Sequence, residues 1–252
     1  YERKGILQVD KDEKNGYRTY PIMKVPMMRS AKILGTYGIS LDSVAEIIQD
    51  HDHHLDHLDR TLEQAEARLN HDIEWKRRCL AALREQREII SHGIGTVYFA
   101  ELDEMAYLEY YGAEKLRANK KLQRQVDQWL QGMPIVMPAP FCPRELVGQD
   151  CYCPAGFMVR QADMDFLGLR EEENVRVLPA RLCVCTTVAQ REEIGIMAKE
   201  AIEPLLIFIQ QTGLCVAGDA LFRCISFESN ENSSGKIYYH VMLPVEVGKT
   251  PK

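Results

Sequence analysis

The sequence has no long uninterrupted run of apolar residues. Its 252 residues are 46% hydrophobic and 27% charged, but no stretch approaches the roughly 18 apolar residues that a membrane-spanning helix requires. The N-terminal residues also lack the charged, apolar and small-residue regions of a signal peptide. We therefore predict a cytoplasmic protein with no membrane partner.

Cysteine is present, but without the spacings of a disulfide scaffold or a zinc finger. The eight cysteines include no C-x-x-C motif. Cys151 and Cys153, and likewise Cys183 and Cys185, are spaced so that each pair would face one side of a strand. A four-thiolate metal or redox site is therefore one alternative, and small apolar fillers in strands are the other. We predict reduced thiols, no cofactor and no metal.

Proline and glycine are both absent between residues 52 and 90. Apolar residues recur there at helical spacing, and polar or charged residues occupy the other positions, which predicts one long exposed helix. The apolar positions follow a heptad seam with one extra four-residue step: Leu55, Leu58, Leu62, Ala65, Leu69, Ile73, Leu80, Leu83 and Ile90. A single stripe of this length predicts a coiled coil with a second copy, hence a homodimer. The alternative is a core helix of a monomeric bundle.

Charge is unevenly distributed along the chain. The formal net charge is −6. Residues 1–45 carry eight basic and five acidic side chains, whereas residues 46–92 carry seven and eleven, and residues 93–252 carry sixteen and twenty-one. Only the N-terminal segment therefore suits a polyanion, and the C-terminal segment would attract cations.

The N-terminal segment contains several short structural signals. Residues 1–4 are typical of the last turn of a helix, and Gly5 would close it. Asn15-Gly16 precedes alternating aromatic and basic residues and predicts a hairpin. Two helices should follow, one from Val25 to Gly35 and one beginning at Ser40. The chain starts in what reads as the middle of a helix, so we expect further residues upstream.

These motifs, in this order and followed by a coiled coil, resemble the MerR family of dimeric transcription regulators. The resemblance implies the end of a recognition helix at Tyr1 to Lys4, a first wing at Asn15 to Tyr20 and a second-wing helix pair at Val25 to Ile48. The chain departs from the family at Pro21 and Pro26. The resemblance implies binding to double-stranded promoter DNA and to RNA polymerase. On charge and position, the candidate DNA-binding residues are Tyr1, Arg3, Lys4, Tyr17, Arg18, Tyr20, Lys24 and Arg29.

A histidine cluster marks the start of the long helix. His53 and His57 are four residues apart and would share a face, which is compatible with a transition metal. MerR-like metal sensors use cysteines near this point, and these have no counterpart here. A solvated, acid-rich helix start is the preferred interpretation, and a metal or redox sensor remains the alternative function.

The segment after Gly93 shows the same order of elements twice. In the first half, strands 95–101 and 105–111 form a predicted hairpin around residues 102–104, and a helix follows from Ala113 to Gln131, with Leu130 among its inward-facing residues. In the second half, strands 175–178 and 182–188 form a predicted hairpin around Pro179, and a helix follows from Gln190 to Gln211. Each helix is followed by strands: near 135–137 and 151–160 in the first half, and near 214–216, 220–227 and 236–245 in the second. Gly132 and Gly213 end the two helices at equivalent places. The pattern predicts a duplicated β-α-β-β unit.

This order of elements, with the Gly218-Asp219 turn and the final Leu243-Pro244-Val245, resembles the GyrI-like effector-binding domain. The resemblance implies a ligand between the two halves, held among aromatic rings. The implied effector-binding residues are Phe141, Tyr152, Cys185, Thr187, Phe222, Tyr238 and Tyr239. The acid that compensates a cationic ligand in drug sensors falls at Phe222, and another frequent acid falls at His240. Aromatic rings can still attract a cation, and a neutral amphipathic ligand is the alternative.

The sequence thus predicts an α+β protein with three segments. By these resemblances, residues 1–48 form the remnant of a winged helix-turn-helix, residues 49–92 the long antiparallel coiled-coil dimerisation helix and residues 93–252 the GyrI-like domain. The predicted function is a MerR-type activator that distorts promoter DNA when a lipophilic, cationic effector binds. Some isolated GyrI-like domains are similar to small hydrolases, but no matched nucleophile and base is present, so no enzyme is predicted.

Overall fold

The computed structural model describes residues 1–4, 6–7, 10–11, 17–19, 22–50, 52–111, 120–191, 196–197, 199–230 and 233–247. The chain forms two compact units, Tyr1–Arg78 and Cys79–Lys252. The α+β class predicted from the sequence is confirmed, because a long helix and antiparallel sheets are both present. Among the described residues, no helix is long and apolar enough to cross a membrane.

The first unit contains short elements followed by helices. A 3₁₀ turn at Glu2–Lys4 precedes the paired strands β1 (Asp10–Lys11) and β2 (Arg18–Thr19), then come helices α1 (Val25–Thr36) and α2 (Leu41–Gln49). The predicted Asn15-Gly16 turn and the predicted helix end at Gly5 lie outside the described residues. The Ser40 side chain accepts a hydrogen bond from the Ser43 amide and caps α2. Pro26 lies in the first turn of α1, where its missing N–H is tolerated.

The predicted long helix is confirmed as α3, which runs from His54 to Ser91. Its seam has two parts. Leu62 and Ala65 pack into the core of the first unit, with Ile6, Val44 and other apolar side chains. Six seam residues are exposed, namely Leu55, Leu69, Ile73, Leu80, Leu83 and Ile90.

The second unit contains the last turns of α3, two helices and most of the strands. The first half contains β3 (Tyr98–Leu102), β4 (Met105–Tyr111), α4 (Lys120–Gln131), β5 (Met137–Pro138), β6 (Phe141–Cys142), β7 (Cys151–Tyr152) and β8 (Ala155–Arg160). The second half contains β9 (Val175–Leu178), β10 (Arg181–Arg191), β11 (Ile196–Met197), α5 (Lys199–Thr212), β12 (Leu214–Val216), β13 (Ala220–Asn230) and β14 (Ser233–Val247).

Both predicted hairpins are wrong. β3 does not pair with β4, and β9 does not pair with β10; instead β3 pairs with β10 and β4 pairs with β9. The connections Asp103-Glu104 and Pro179-Ala180 contain only two residues each. A two-residue hairpin turn requires positive φ, which none of the described non-glycine residues adopts, so the chain passes from one sheet to the other instead.

The predicted duplication is visible in the strand order. One sheet has the order β3-β10-β14-β13-β6 with β12 paired to β14, and the other has the order β5-β8-β4-β9. In both, the long central strand (β10 or β4) lies between the last strand of its own half (β14 or β8) and the first strand of the other half (β3 or β9). The two halves therefore exchange their first strands.

The predicted helices of this unit need correction. α4 is described only from Lys120, and Leu130, predicted to face inward, is 43% exposed, whereas the unpredicted Gln125 is buried. The helix predicted from Gln190 is wrong at its start, because Gln190 and Arg191 continue β10 and Met197 lies in β11. Gly213 follows α5 with a φ of 71° and ends it as predicted.

Two clusters of buried apolar side chains organise this unit. One lies between α5 and the larger sheet and includes Val184, Leu205, Phe222 and Val241. The other contains side chains of both sheets and is rich in sulfur. Because residues alternate between the faces of a strand, β6, β10, β13 and β14 of the larger sheet each contribute to both clusters.

Candidate functional site

A cavity of about 220 Å³ lies within the second unit. Its wall combines the last two turns of α3 with side chains from both sheets. The lining residues are Glu85, Glu88, Ile89, His92, Tyr98, Ala100, Glu101, Leu102, Asp103, Met105, Met137, Met158, Arg160, Cys183, Cys185, Arg223, His240 and Met242. Both halves of the duplicated unit therefore contribute to one cavity.

Sulfur-containing side chains form the apolar part of the wall. Met105, Met137, Met158, Met242, Cys183 and Cys185 are all buried. Burial raises the pKa of Cys183 to about 12 and also raises the pKa of Cys185, so both thiols stay protonated and behave as small apolar groups. Methionine side chains are flexible and polarisable, which suits an apolar ligand of variable shape.

An aromatic and imidazole group forms a second part of the wall. The His92 ring stacks on Tyr98 with centroids 3.8 Å apart, and the Tyr98 hydroxyl hydrogen-bonds to His240 Nε2 at 2.9 Å. Burial, followed by the positive charge of Arg223, lowers the pKa of His240 to about 4, so its imidazole is neutral near pH 7. Burial raises the pKa of Tyr98 to about 12. Tyr98 and His240 are therefore both uncharged near pH 7.

An ionic network forms the third part. Glu85 Oε2 accepts a hydrogen bond from Arg160 Nη2 at 2.6 Å, and Glu85 Oε1 accepts one from Arg223 Nη1. Arg160 Nε also donates to Asp103 Oδ2 at 2.7 Å. Gln86 Nε2 donates to the carbonyl oxygen of Ile225 at 3.1 Å. The end of α3 is thus bound to both halves of the duplicated unit.

Only one of the seven predicted effector-binding residues lines this cavity. Cys185 is on the wall. Phe141 is buried in the same cluster but packs edge-on against Tyr107. Thr187 is buried beside His240 in the strand register, and no hydrogen-bond partner for its hydroxyl lies among the described residues.

The other four predicted residues lie elsewhere. The rings of Phe222 and Tyr239 pack edge-on, with their centroids 6.3 Å apart. Phe222 belongs to the apolar cluster beneath α5 and Tyr239 packs against that cluster, so both lie on the sheet face opposite the cavity. The Tyr238 hydroxyl donates to Glu228 Oε2 at 2.8 Å, and Tyr152 pairs with Ile196 in a two-stranded ladder. The structure therefore does not gather the predicted aromatic group around the cavity.

The contribution of α3 to the cavity was not predicted from the sequence. Glu85, Ile89 and His92 recur at four- and three-residue spacing and so share one helix face. The heptad pattern drew attention instead to the neighbouring face of the helix, which contains Leu83 and Ile90 and is exposed in the structure. Ile89 is 5% exposed. The feature of the sequence that could have indicated this contact is the second stripe at the end of the helix, formed by Glu85, Ile89 and His92.

The predicted DNA-binding residues that are described lie on the first unit. Tyr1, Arg3, Lys4, Tyr17 and Arg29 are exposed, and Lys24 is half-buried. Lys4 forms an ion pair with Asp42 of α2. Arg18 belongs to β2, while its side chain, like the whole of Tyr20, lies outside the described residues.

The histidine and cysteine clusters are not assembled as metal sites in the described part of the chain. No group of three or more His, Cys, Asp or Glu side chains there is arranged to hold a metal ion. His57 Nδ1 lies 3.3 Å from Asp50 Oδ2, and the His53 amide donates to the same carboxylate. Cys153 packs beneath α5, whereas Cys183 and Cys185 belong to the other cluster. The structure thus separates the thiol pairs.

No family model matches this chain, and no curated protein matches it. Several solved structures are similar to it at low identity. EcmrR in its DNA complex within EcmrR-RPo has 15% identity and a TM-score of 0.36, covering 98% of this chain and 92% of EcmrR. The EcmrR C-terminal domain has 14% identity and a TM-score of 0.38, covering 60% of this chain and 97% of that domain.

A hydrolase from Listeria innocua, encoded by lin2189, has 12% identity and a TM-score of 0.40, covering 65% of this chain and 97% of the hydrolase. The similar structures therefore include a protein in complex with DNA and a protein described as a hydrolase.

Proposed function

We propose that this protein is a MerR-type, ligand-responsive transcription activator. It binds promoter DNA as a homodimer through residues 1–48 and a lipophilic small molecule through the cavity of the second unit. The observation that carries the proposal is the course of α3. This helix begins in the first unit, shortly after α2, and its last turns form a wall of the cavity in the second unit, so one helix is shared by both units.

The support for DNA binding comes from the first unit. Exposed basic side chains at Arg3, Lys4 and Arg29 accompany an exposed tyrosine, Tyr17, next to β2. Arginine and lysine contacts to phosphates position a protein on the duplex, and tyrosine hydroxyls add further contacts. Binding to RNA polymerase and distortion of the promoter are proposed from the motif resemblance.

The support for a homodimer is the exposed part of the α3 seam. Leu69, Ile73, Leu80, Leu83 and Ile90 are each at least 43% exposed. A contiguous apolar stripe on a helix is normally covered by another element, and a second copy presents a matching stripe.

The support for an effector site is the composition of the cavity. It combines a sulfur-rich apolar wall, stacked rings and a few fixed polar groups, as ligand sites commonly do. Four acidic and two basic side chains line the cavity, so its net charge is also compatible with the cationic effector predicted from the sequence. The rings that could face a cation here are Tyr98 and His92 rather than Phe222.

The chemistry of the cavity favours binding over catalysis. The Tyr98 hydroxyl and the thiols of Cys183 and Cys185 have raised pKa values because they are buried. Each is therefore protonated near neutral pH and a poor nucleophile. We accordingly propose a sensor and no enzyme.

The test of the proposed function is DNA binding by the full-length protein. DNA selected from a random library would be used in fluorescence anisotropy titrations across a range of salt concentrations. We expect Arg18→Ala and Arg29→Ala each to weaken binding several-fold and to reduce the salt slope by about one. Arg84→Ala, on α3 outside the wing segment, is the control and should bind like wild type. Failure to select any DNA, or equal affinity in all variants, would contradict the proposal.

A further inference from the structure

Two arginines, one from each half of the duplicated unit, meet at one carboxylate. Arg160 ends β8 and Arg223 lies on β13. Each donates to a different oxygen of Glu85, Arg160 to Oε2 at 2.6 Å and Arg223 to Oε1. Charge-assisted hydrogen bonds to both oxygens of a carboxylate are the arrangement by which arginines recognise carboxylate ligands. Glu85 thus occupies a geometry suited to a carboxylate.

Burial differs sharply between the partners. The Arg223 side chain is 6% exposed, whereas the Glu85 side chain is 33% exposed and belongs to a helix surface. A cationic ligand that took Glu85 would leave the buried Arg223 without its carboxylate, and an unpaired buried charge is strongly unfavourable. An anionic ligand that replaced Glu85 would leave both arginines paired and return Glu85 toward solvent. Burial therefore favours replacement of Glu85 by an anionic ligand over binding of a cation to Glu85.

The remaining acids of the cavity do not reverse this preference. Glu88, Glu101 and Asp103 are exposed, so solvent and salt screen their attraction for a cation. Asp103 already accepts a hydrogen bond from Arg160. The charges in the least solvated position are therefore those of Arg223 and its partner.

The apolar wall beside this pair defines the rest of the ligand. Met158 and Met242, with the neighbouring methionines and cysteines, line the same cavity as the two arginines. We propose that Arg160 and Arg223 bind the carboxylate of an amphipathic acid, whose apolar body lies on the sulfur-rich wall, and that Glu85 is the internal competitor for this site. The inference rests on the proposed effector function and specifies the ligand class.

The test is calorimetric titration of the full-length protein with three probes that share one alkyl chain. These are decanoate, decyltrimethylammonium and 1-decanol. We expect decanoate to bind wild type about tenfold more tightly than the other two, because only its head group can pair with both arginines. Glu85→Gln should bind decanoate about tenfold more tightly still, because the internal competitor has lost its charge. If Glu85 served only to hold the two arginines in place, Glu85→Gln would instead weaken decanoate binding.

Matched variants separate the site from general effects. Glu66→Gln removes an exposed acid from the same helix but outside the cavity and should leave decanoate affinity unchanged. Arg223→Gln should weaken decanoate binding by about tenfold or more. If Arg223→Gln does not fold, as judged by its thermal transition, Arg160→Gln supplies the same test at the more exposed arginine.

Three results would overturn the inference. They are tighter binding of decyltrimethylammonium than of decanoate, unchanged or weaker decanoate binding by Glu85→Gln, and no binding of decanoate by either wild type or Glu85→Gln. Failure of the proposed function looks different. In that case decanoate binds as expected but leaves DNA affinity unchanged, and no member of a library of cations, anions and neutral amphipaths alters DNA affinity.

Discussion

His240 couples the stability of the second unit to pH. It is buried beside Arg223, and burial with that positive charge lowers its pKa from 6.5 to about 4. Between these values the unfolded chain binds a proton at this position that the folded chain excludes. Folding stability therefore falls as pH falls through this window, by about 3 kcal/mol over its full width.

We expect His240→Gln to remove this dependence. On going from pH 7 to pH 5, urea unfolding should show wild type losing about 2 kcal/mol more than the variant. His71→Gln, an exposed position on α3, is the control and should follow wild type. If the free energy of unfolding falls equally for wild type and His240→Gln between pH 7 and pH 5, the pH dependence does not come from His240.

Single residues of the cavity were the least predictable part of the protein from sequence. Arg223 lies in a strand whose neighbours Leu221 and Phe222 are buried, and nothing local indicates that its charge is buried as well. Its partner Glu85 is 138 positions away in the chain. Such a pair depends on tertiary packing, which the helix and strand patterns do not encode.

At the scale of elements, α3 was the most predictable part. Its length, its lack of proline and glycine, and its seam follow from local propensity and periodicity. The same is true of the Ser40 cap of α2 and of the glycine that ends α5. Local signals were sufficient wherever the stabilising contacts are themselves local.

The α3 seam leads to a prediction about assembly. Leu83→Asp places a charge in the exposed apolar stripe and should convert the proposed dimer to a monomer, because an unpaired charge at a seam position opposes burial. Light scattering coupled to size-exclusion chromatography measures the mass. Arg84→Asp, at the next position but off the seam, is the matched control and should remain dimeric. If Leu83→Asp remains a dimer as stable as wild type, the dimer interface does not include the α3 seam.

Strand pairing was not predictable at this scale. Alternation located β4, β9 and β12 closely, yet it assigned the first strands of both halves to hairpins. Alternation indicates which residues share a face of a strand and does not indicate the neighbouring strand. The absence of a glycine or asparagine in the two connections was the available signal against a hairpin.

At the scale of the whole molecule, the order of elements was predictable and the site was not. The duplicated unit and the α+β class follow from repeated patterns along the chain. The cavity, in contrast, is formed where the two halves and the end of α3 meet. The predicted ring of aromatic residues followed a family pattern, whereas the alternation of β13 and β14 turns Phe222 and Tyr239 to the other sheet face.

The exchange of first strands between the halves has a consequence for cutting the chain. A break between Glu171 and Glu172, after β8 and before β9, would give two fragments that each own strands of both sheets. Neither fragment can complete a sheet alone, since β3 needs β10 and β9 needs β4. We expect the C-terminal fragment to be unfolded by circular dichroism when it is expressed alone, because it lacks β3 and β4, and the two fragments to copurify as a folded pair when coexpressed. The duplicated unit would then serve as a naturally split protein whose reassembly reports the meeting of its two pieces.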